Sequence, residues 1–543
     1  MPPAHPEQSL EHVEGALGCP SGWIGPTGSM QPIKAAEADG SRPDLTDEAE
    51  IIANTELFWS HQYSPFLAHE PCQRFVLERV AECTRVLPPD TVALMAALLT
   101  IAEVRDAIMH INTGKSPGPS GIPAELYQAL ADLFAILLTK QYNACYVAGG
   151  GMSELQRQGR IAMLFKAGIR AALGNWRPIS NLQKDFQIMS QVLNSRIENI
   201  VSMLTGMDQT GFTAGRLMSE TIRKWQDGGR WAQQKGVACA KNAYDWKKAY
   251  DNVSLPFLYA VIDLMCGVPL HLVLEDLAGA MQAAAAADGP PYVYRHSSPL
   301  TKWVQMLYTG HERCISVNGT TTNFIKLFSS CPQGCISAPR LFVLFIEPLG
   351  ILFRTDGSIS GIILPSGREI RVGRFADDTG SQIAAPIQDN RRHFSPTLRT
   401  RGLRQCAALT QALSHAIGQG MNLIAIFGAA SGMVNNQAKG EGCWEGTAQY
   451  LTQAWEHGSF DGALSAYGEV ARVPWKRRGT PIKLLGVRSG HDLDPQDEWK
   501  KVVDALLVVL RIWSATPLGI RARCDVAKSL VSRSLRRNAG KFS

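Results

Sequence analysis

The sequence has no long apolar run, no regular cysteine framework and few acids near its end. No stretch reaches the roughly 18 to 20 apolar residues that a membrane span needs, and the N-terminus lacks a basic segment followed by an apolar one. Neither a membrane-spanning helix nor a secretory leader is expected. The 12 cysteines are scattered without a CxxC pair, which points to a reducing compartment. Cys331 and Cys335 flank a loop with no His or second pair nearby, so zinc is not expected there. From Arg511 to Ser543, Asp525 is the only acid against eight Lys or Arg, so the net charge of +6 is a C-terminal feature. Clustered basic charge attracts phosphate backbones through counterion release, although most such runs are solvated faces.

What is present is ordinary for a globular chain: 543 residues, 45% apolar and 19% charged. At roughly 150 residues per domain, the length predicts three or four compact units. Residues 1–43 are rich in Pro, Gly, Ala and Glu without apolar periodicity, and disorder is expected. A helical extension over 44–112 follows, with an acidic first turn near Thr46 and Ile51, Ile52, Thr55 and Phe58 at helical spacing. A second helix (Ile101, Val104, Ile108) runs into TGKSPGPSGIP, a rigid Gly/Pro loop before a helix at Ala124. Then come a strand over Ile161 to Phe165, a loop ending NWRPIS and an amphipathic helix from about Leu182 to Leu204. The Ala-rich run 278–291 reads as a surface excursion.

The strongest local signal is RFADDTGS, where Asp377 and Asp378 follow a β-like run from Ile370 to Phe375. Adjacent carboxylates repel unless a cation sits between them. Alone, the string more often describes an exposed hairpin or Asx-turn than a metal site. Upstream, AYDWKKAYDNVSLPF places Asp245 at the end of a strand that Lys241 and Asn242 interrupt; its plain reading is a helix N-terminal acid. A carboxylate at a strand end beside a DD hairpin is, however, what two-metal phosphoryl transfer requires. Between them, Asn318-Gly319 signals a hairpin. PQGCISAP forms a tight loop before an apolar helix over Arg340 to Phe353, with Ser337 as N-cap. Tyr250 reads equally as core, Arg177 as a surface ion pair, Lys439 as a helix-end charge and Asp251 as a helix-start acid.

The order KSPGPSGIPAELY, NWRPIS, DQTGFTAGR, DWKKAYD, NGTTTNF, PQGCISAP, FADDT, SGMVNNQAK and IKLLGV resembles the reverse transcriptase domain of non-LTR (LINE-type) retrotransposons over roughly residues 45–540. The resemblance implies an α+β right-hand polymerase. Its fingers would span 113–235, a palm with an antiparallel sheet and interleaved fingers elements 236–490, and a helical thumb with the basic C-terminus 491–543. The thumb stripe would include Trp499, Val502, Val503, Leu506, Leu510 and Trp513.

Residue by residue, Asp245, Asp377 and Asp378 match the carboxylates holding two Mg²⁺, with Mn²⁺ as substitute. Tyr250 matches the aromatic under the deoxyribose, and Gln333 and Gly334 the contacts to nucleotide and template. Arg177 and Lys166 fall where basic groups meet the triphosphate, Lys439 matches a lysine proposed to protonate pyrophosphate, and Leu485 and Gly486 match the primer grip. The implied partners are an RNA template, a DNA primer and dNTPs, without a membrane. The implied compartments are cytoplasm and nucleus.

The sequence departs from the family at Ser120, where an acid is usual, at Pro332, where LINE-type enzymes usually have Arg, and in the Ala-rich run. No endonuclease region precedes the polymerase and no ribonuclease H or Cys/His knuckle follows, so an excised, truncated or decaying copy is expected. The rival reading is a catalytically dead remnant that only binds nucleic acid. A group II intron or retron polymerase fits less well, because their loops differ around the same aspartates.

Overall fold

The computed structural model describes residues 47–66, 68–285, 292, 294–385 and 399–447, together with 33–34, 44–45 and parts of 450–511. The elements that position the site are α1 (Glu48–Gln62), β1 (Gln158–Phe165), β2 (Trp176–Leu182), α2 (Lys184–Leu204), α3 (Met218–Lys235), β3 (Cys239–Tyr244), α4 (Leu255–Met265), β4 (Glu312–Val317), α5 (Ala338–Thr355), β5 (Val372–Phe375), β6 (Asp378–Ala384), α6 (Arg399–Ser431), β7 (Glu441–Glu445) and β8 (Trp475–Lys476). The architecture is α+β, with helices packed on two mixed sheets.

One five-stranded sheet has the order β5-β6-β3-β7-β8. Its pairs are antiparallel except β7 with β8. Every residue of the central strand β3 is buried. The polar pair that breaks its apolar pattern is accommodated inside the sheet: Lys241 Nζ meets Glu445 Oε1 of β7 at 2.9 Å, and Asn242 Nδ2 donates to Ser381 Oγ of β6 at 3.5 Å. A buried charge is tolerable when it is paired in this way. The apolar α5 packs behind, with Phe345 edge-to-face on Phe257 of α4 and Phe427 of α6.

In the second sheet β1 pairs antiparallel with β2 and parallel with β4. The turn after β4 bears out the hairpin signal: Val317 faces Thr320, and Asn318 and Gly319 take φ of 50° and 91°. Positive φ at both positions is what a tight two-residue hairpin turn of the right twist demands. Helix α1 begins at Asp47, whose carboxylate accepts from Glu50 N–H at 3.0 Å.

Several expectations change. NWRPIS is strand β2, not the end of a loop; β2 lies at the sheet edge, where Pro178 removes no needed ladder donor. The Ala-rich run begins inside a packed helix, Leu270–Ala285, with Ala280 buried and Gly279 close against Tyr292, while residues 286–291 lie outside the described ones. Ser337 occupies the N-cap position of α5, but its hydroxyl pairs with Ser190 Oγ at 3.0 Å and caps no N–H. Asp251, expected at the helix start, is buried three residues ahead of Ser254, the N-cap of α4. Of the thumb stripe only Val503 is described, and it is exposed, so at that position the stripe faces no described core. The expected N-terminal disorder over 1–43 falls almost wholly outside the described residues, as does most of 491–543.

Candidate active site

The register of the central sheet converges the acidic residues. Tyr244, the last residue of β3, faces Thr379, and Phe375 faces Asp378 across the turn Ala376-Asp377. Asp245, one residue past Tyr244, therefore leaves β3 beside the start of β6. Asn436 fixes Asp245 twice: its N–H donates to Asp245 O at 2.7 Å and its Nδ2 to Asp245 Oδ2 at 2.9 Å.

A cleft of about 1330 Å³ opens over this sheet end. Asp245, Asp377, Tyr250, Gln333, Lys166, Arg177 and Lys439 all line it. Asp378 stands exposed at the first position of β6. Lys166 follows β1 and Arg177 lies in β2, so the antiparallel pair presents both cations from one wall. Gly334 sits behind Gln333 with φ of 126°, and a Cβ there would collide with Ser180 O of β2. Gln333 O also accepts from Ser180 N–H at 2.7 Å, so this loop is braced on the same strand as Arg177. Leu485 is outside the cleft wall, packed beside Trp225, Ala243 and Leu484 on the sheet; Gly486 lies outside the described residues.

The electrostatics are those of acids crowded together beside cations. Burial, and then the Asp245 charge, raises the Asp377 carboxyl, against the pull of Lys166 and Arg177. Loss of water and then the Asp377 and Asp245 charges push Asp378 up to about 6. Because Asp378 keeps surface exposure, the neighbouring charges are the firmer part of that cause. Burial, followed by the Asp377 and Cys331 charges, raises the Tyr250 phenol, which stays neutral. Its ring stacks on Phe342 at 4.4 Å and 20°. Among the described residues, no group of three or more His, Cys, Asp or Glu side chains stands ready to hold a metal ion.

Sequence reasoning missed one wall entirely. Helix α1 and the turn after it bring Phe58, His61, Gln62 and Phe66 to the cleft. Lys248 ties that helix to the sheet: its Nζ lies 3.9 Å from the Trp59 ring centroid and 4.7 Å from that of Phe58, with no hydrogen-bond partner among the described residues. Burial pushes this ammonium down to about 8, with Asp251 pulling it back. Asp251 in turn is pushed up to about 7 by burial, opposed by Lys248 and the Tyr63 hydroxyl. The KK within DWKKAYD could have signalled this cation–aromatic contact, but nothing local names a partner so far away in sequence.

Comparison with known proteins points the same way. Residues 165–404 match the family described as reverse transcriptase (RNA-dependent DNA polymerase). A 149 kDa protein of transposon TX1 from Xenopus laevis is 23% identical over 357 residues, covering 65% of this chain and 24% of that protein. The retrovirus-related Pol polyprotein from type-1 retrotransposable element R1 of Bradysia coprophila is 24% identical over 342 residues, covering 61% of this chain and 27% of its own length. The chain thus spans about a quarter of these relatives.

Proposed function

Residues 165–404 form a reverse-transcriptase domain related to the Pol proteins of non-LTR retrotransposons, and on that premise we propose that the chain is an RNA-directed DNA polymerase, extending a primer 3′-hydroxyl with dNTPs. The observation that carries the reading is the meeting of Asp245 and Asp377 with Lys166, Arg177 and Lys439 in one cleft. In right-hand terms the sheet built on β3, β5, β6 and β7 would be the palm, the β1–β2–β4 sheet and its helices would belong to the fingers, and residues 491–543 would begin the thumb.

The donor set suits magnesium. Its oxygens are hard, and Mg²⁺ is usually held by one or two carboxylates plus substrate phosphates, so no complete protein cage is required. When bound, a pair of ions would make the 3′-hydroxyl a better nucleophile and neutralise the leaving pyrophosphate. The chain's own residues do the rest. Asp245 and Asp377 supply the carboxylates, with Asp378 beside them, and Asn436 keeps Asp245 pointed inward. Lys166 and Arg177 orient the triphosphate, and Lys439 is placed to give a proton to the departing pyrophosphate. Gln333 and Gly334 shape the floor under the nucleotide and template.

The polar interruption before Asp245 by itself argues for a passive remnant, but the pairing of Lys241 with Glu445 makes that interruption part of the sheet. Mg²⁺-dependent incorporation on an RNA template separates the two readings.

Metal binding has a pH signature. Asp377 and Asp378 are both raised in the folded chain, Asp378 to about 6, so between the unfolded value near 4 and those raised values the folded state holds more protons than the unfolded one. The metal-free site therefore loses stability as pH rises through that window. Mg²⁺ competes with those protons, so its stabilisation should be greater at about pH 7.5 than at about pH 5.5. Thermal melts with and without Mg²⁺ read this directly; an equal shift at both pH values would remove the carboxylates from the metal site.

Tyr250 is expected to select deoxynucleotides. With Phe342 stacked on one face, the ring is held where a sugar above the acids would meet it, and a 2′-hydroxyl would clash. Tyr250→Ala should admit ribonucleotides while retaining dNTP incorporation, and Tyr250→Phe should stay near wild type. Single-nucleotide incorporation with dTTP and UTP, beside a thermal melt, checks it. If the ring is only core, truncation costs up to about 3–5 kcal/mol and lowers both substrates together.

A further inference from the structure

The motif Asp208–Phe212 has no role in the reading above, yet it lies against the turn that carries Asp377. Gln209 forms a parallel bridge with Arg374 of β5. Arg374 N–H donates to Asp208 O at 2.7 Å, and Thr210 N–H donates to Arg374 O at 2.9 Å. Two residues further on, Ala376 adopts φ of 53°, a left-handed conformation that a residue with a side chain keeps only when its surroundings over-determine it. Its N–H donates to Gln209 Oε1 at 3.0 Å, and the same oxygen accepts from Gly211 N–H at 2.9 Å. Gln209 is fully buried, and among the described residues its Nε2 has no partner, so the accepting end of the amide is the end in use. Gly211 permits the approach: a Cβ there would collide with Ala376 N.

We infer that Gln209 is a positioning residue for Asp377: one buried carbonyl oxygen grips two backbone N–H groups, holds Ala376 in its left-handed conformation and so sets the direction in which Asp377 leaves the strand. The inference rests on the polymerase reading. Without the acceptor, the Ala376 N–H is buried and unpaired, and the turn relieves this by moving. A displacement of about 1 Å in a reacting group can cost about a hundred-fold in rate.

The test compares Gln209→Met, similar in shape but without the acceptor, with Gln209→Glu, which keeps an oxygen in that place. Single-nucleotide incorporation on a primed RNA template gives kcat, the KM for dNTP and the Mg²⁺ midpoint; primer–template affinity and thermal melts are measured alongside. Gln209→Met should lower kcat about 10- to 100-fold and raise the Mg²⁺ midpoint, with primer–template affinity within about three-fold, while Gln209→Glu recovers most of the rate. Should the Met variant fail to fold, Gln209→Asn withdraws the oxygen by one methylene and should show the same fall. Wild-type kcat in the Met or Asn variant overturns the inference, as does a Glu variant no better than Met, or a rate loss that only tracks lost folded protein. An inactive wild-type chain would instead overturn the polymerase reading, so the two failures are distinct.

Discussion

Asp377→Asn is expected to abolish primer extension, by about a thousand-fold or more, while primer–template affinity stays within a few fold. Asp377 sits in the turn between β5 and β6, where burial and then the nearby Asp245 charge raise its carboxyl, an arrangement that favours a cation between the two acids. Losing one metal carboxylate removes several kcal/mol of charge stabilisation from the reacting centre, and each 1.4 kcal/mol is about tenfold in rate. Grip on nucleic acid comes from Lys and Arg contacts to phosphates, which the substitution leaves intact. The asparagine also removes one repelling charge, so the melting temperature should hold or rise. Extension at the wild-type rate by the purified variant would sink the assignment of Asp377.

Arg374→Met should be the most destabilising single change in the sheet. Arg374 is fully buried behind the turn that carries Asp377, with Nε donating to Asp208 Oδ2 at 2.7 Å, Nη2 to Glu347 Oε2 at 2.6 Å and Nη1 to Ile346 O at 2.9 Å. Arg354 bridges the same two acids. Burial pushes Asp208 upward, but the Arg374 and Arg354 charges outweigh it and hold the carboxyl at about 2. A depressed carboxylate contributes stability that is fully present above its unfolded value near 4 and is lost as pH falls through about 2. Removing Arg374 leaves Asp208 and Glu347 under-compensated inside the protein, a loss of about 3–5 kcal/mol. Urea unfolding at neutral pH reads it, and Glu347→Gln in the same chain should recover part by removing the stranded charge. A loss under about 1 kcal/mol would show that water or rearrangement replaces the guanidinium.

The sequence exposed those parts of the site whose signals are local. The hairpin that carries Asp377 and Asp378, the Asn318-Gly319 hairpin and the α2 helix were legible because turn chemistry and apolar periodicity act over a few residues. Strand β3 was harder, because Lys241 and Asn242 look like interruptions until Glu445 and Ser381 arrive from far along the chain. Strand β2 was hidden by Pro178, which argues against a central strand and is harmless at an edge. The α1 wall was hidden for the opposite reason. Phe58 and its neighbours read as an ordinary apolar helix face, and no periodicity tells a face that packs on a core from one that borders a cleft. Gln209 and Asn436 lay inside recognised fragments, but their partners, Ala376 N and Asp245 Oδ2, are set by tertiary placement alone.

On the reading proposed above, this cleft builds DNA on an RNA template. The purified chain, given oligo(dT) annealed to poly(rA), dTTP and Mg²⁺, should extend the primer, and should stop when EDTA removes the metal. A folded protein that binds the primer–template but adds no nucleotide with Mg²⁺ or Mn²⁺ would contradict the account and leave a passive nucleic-acid binder in its place.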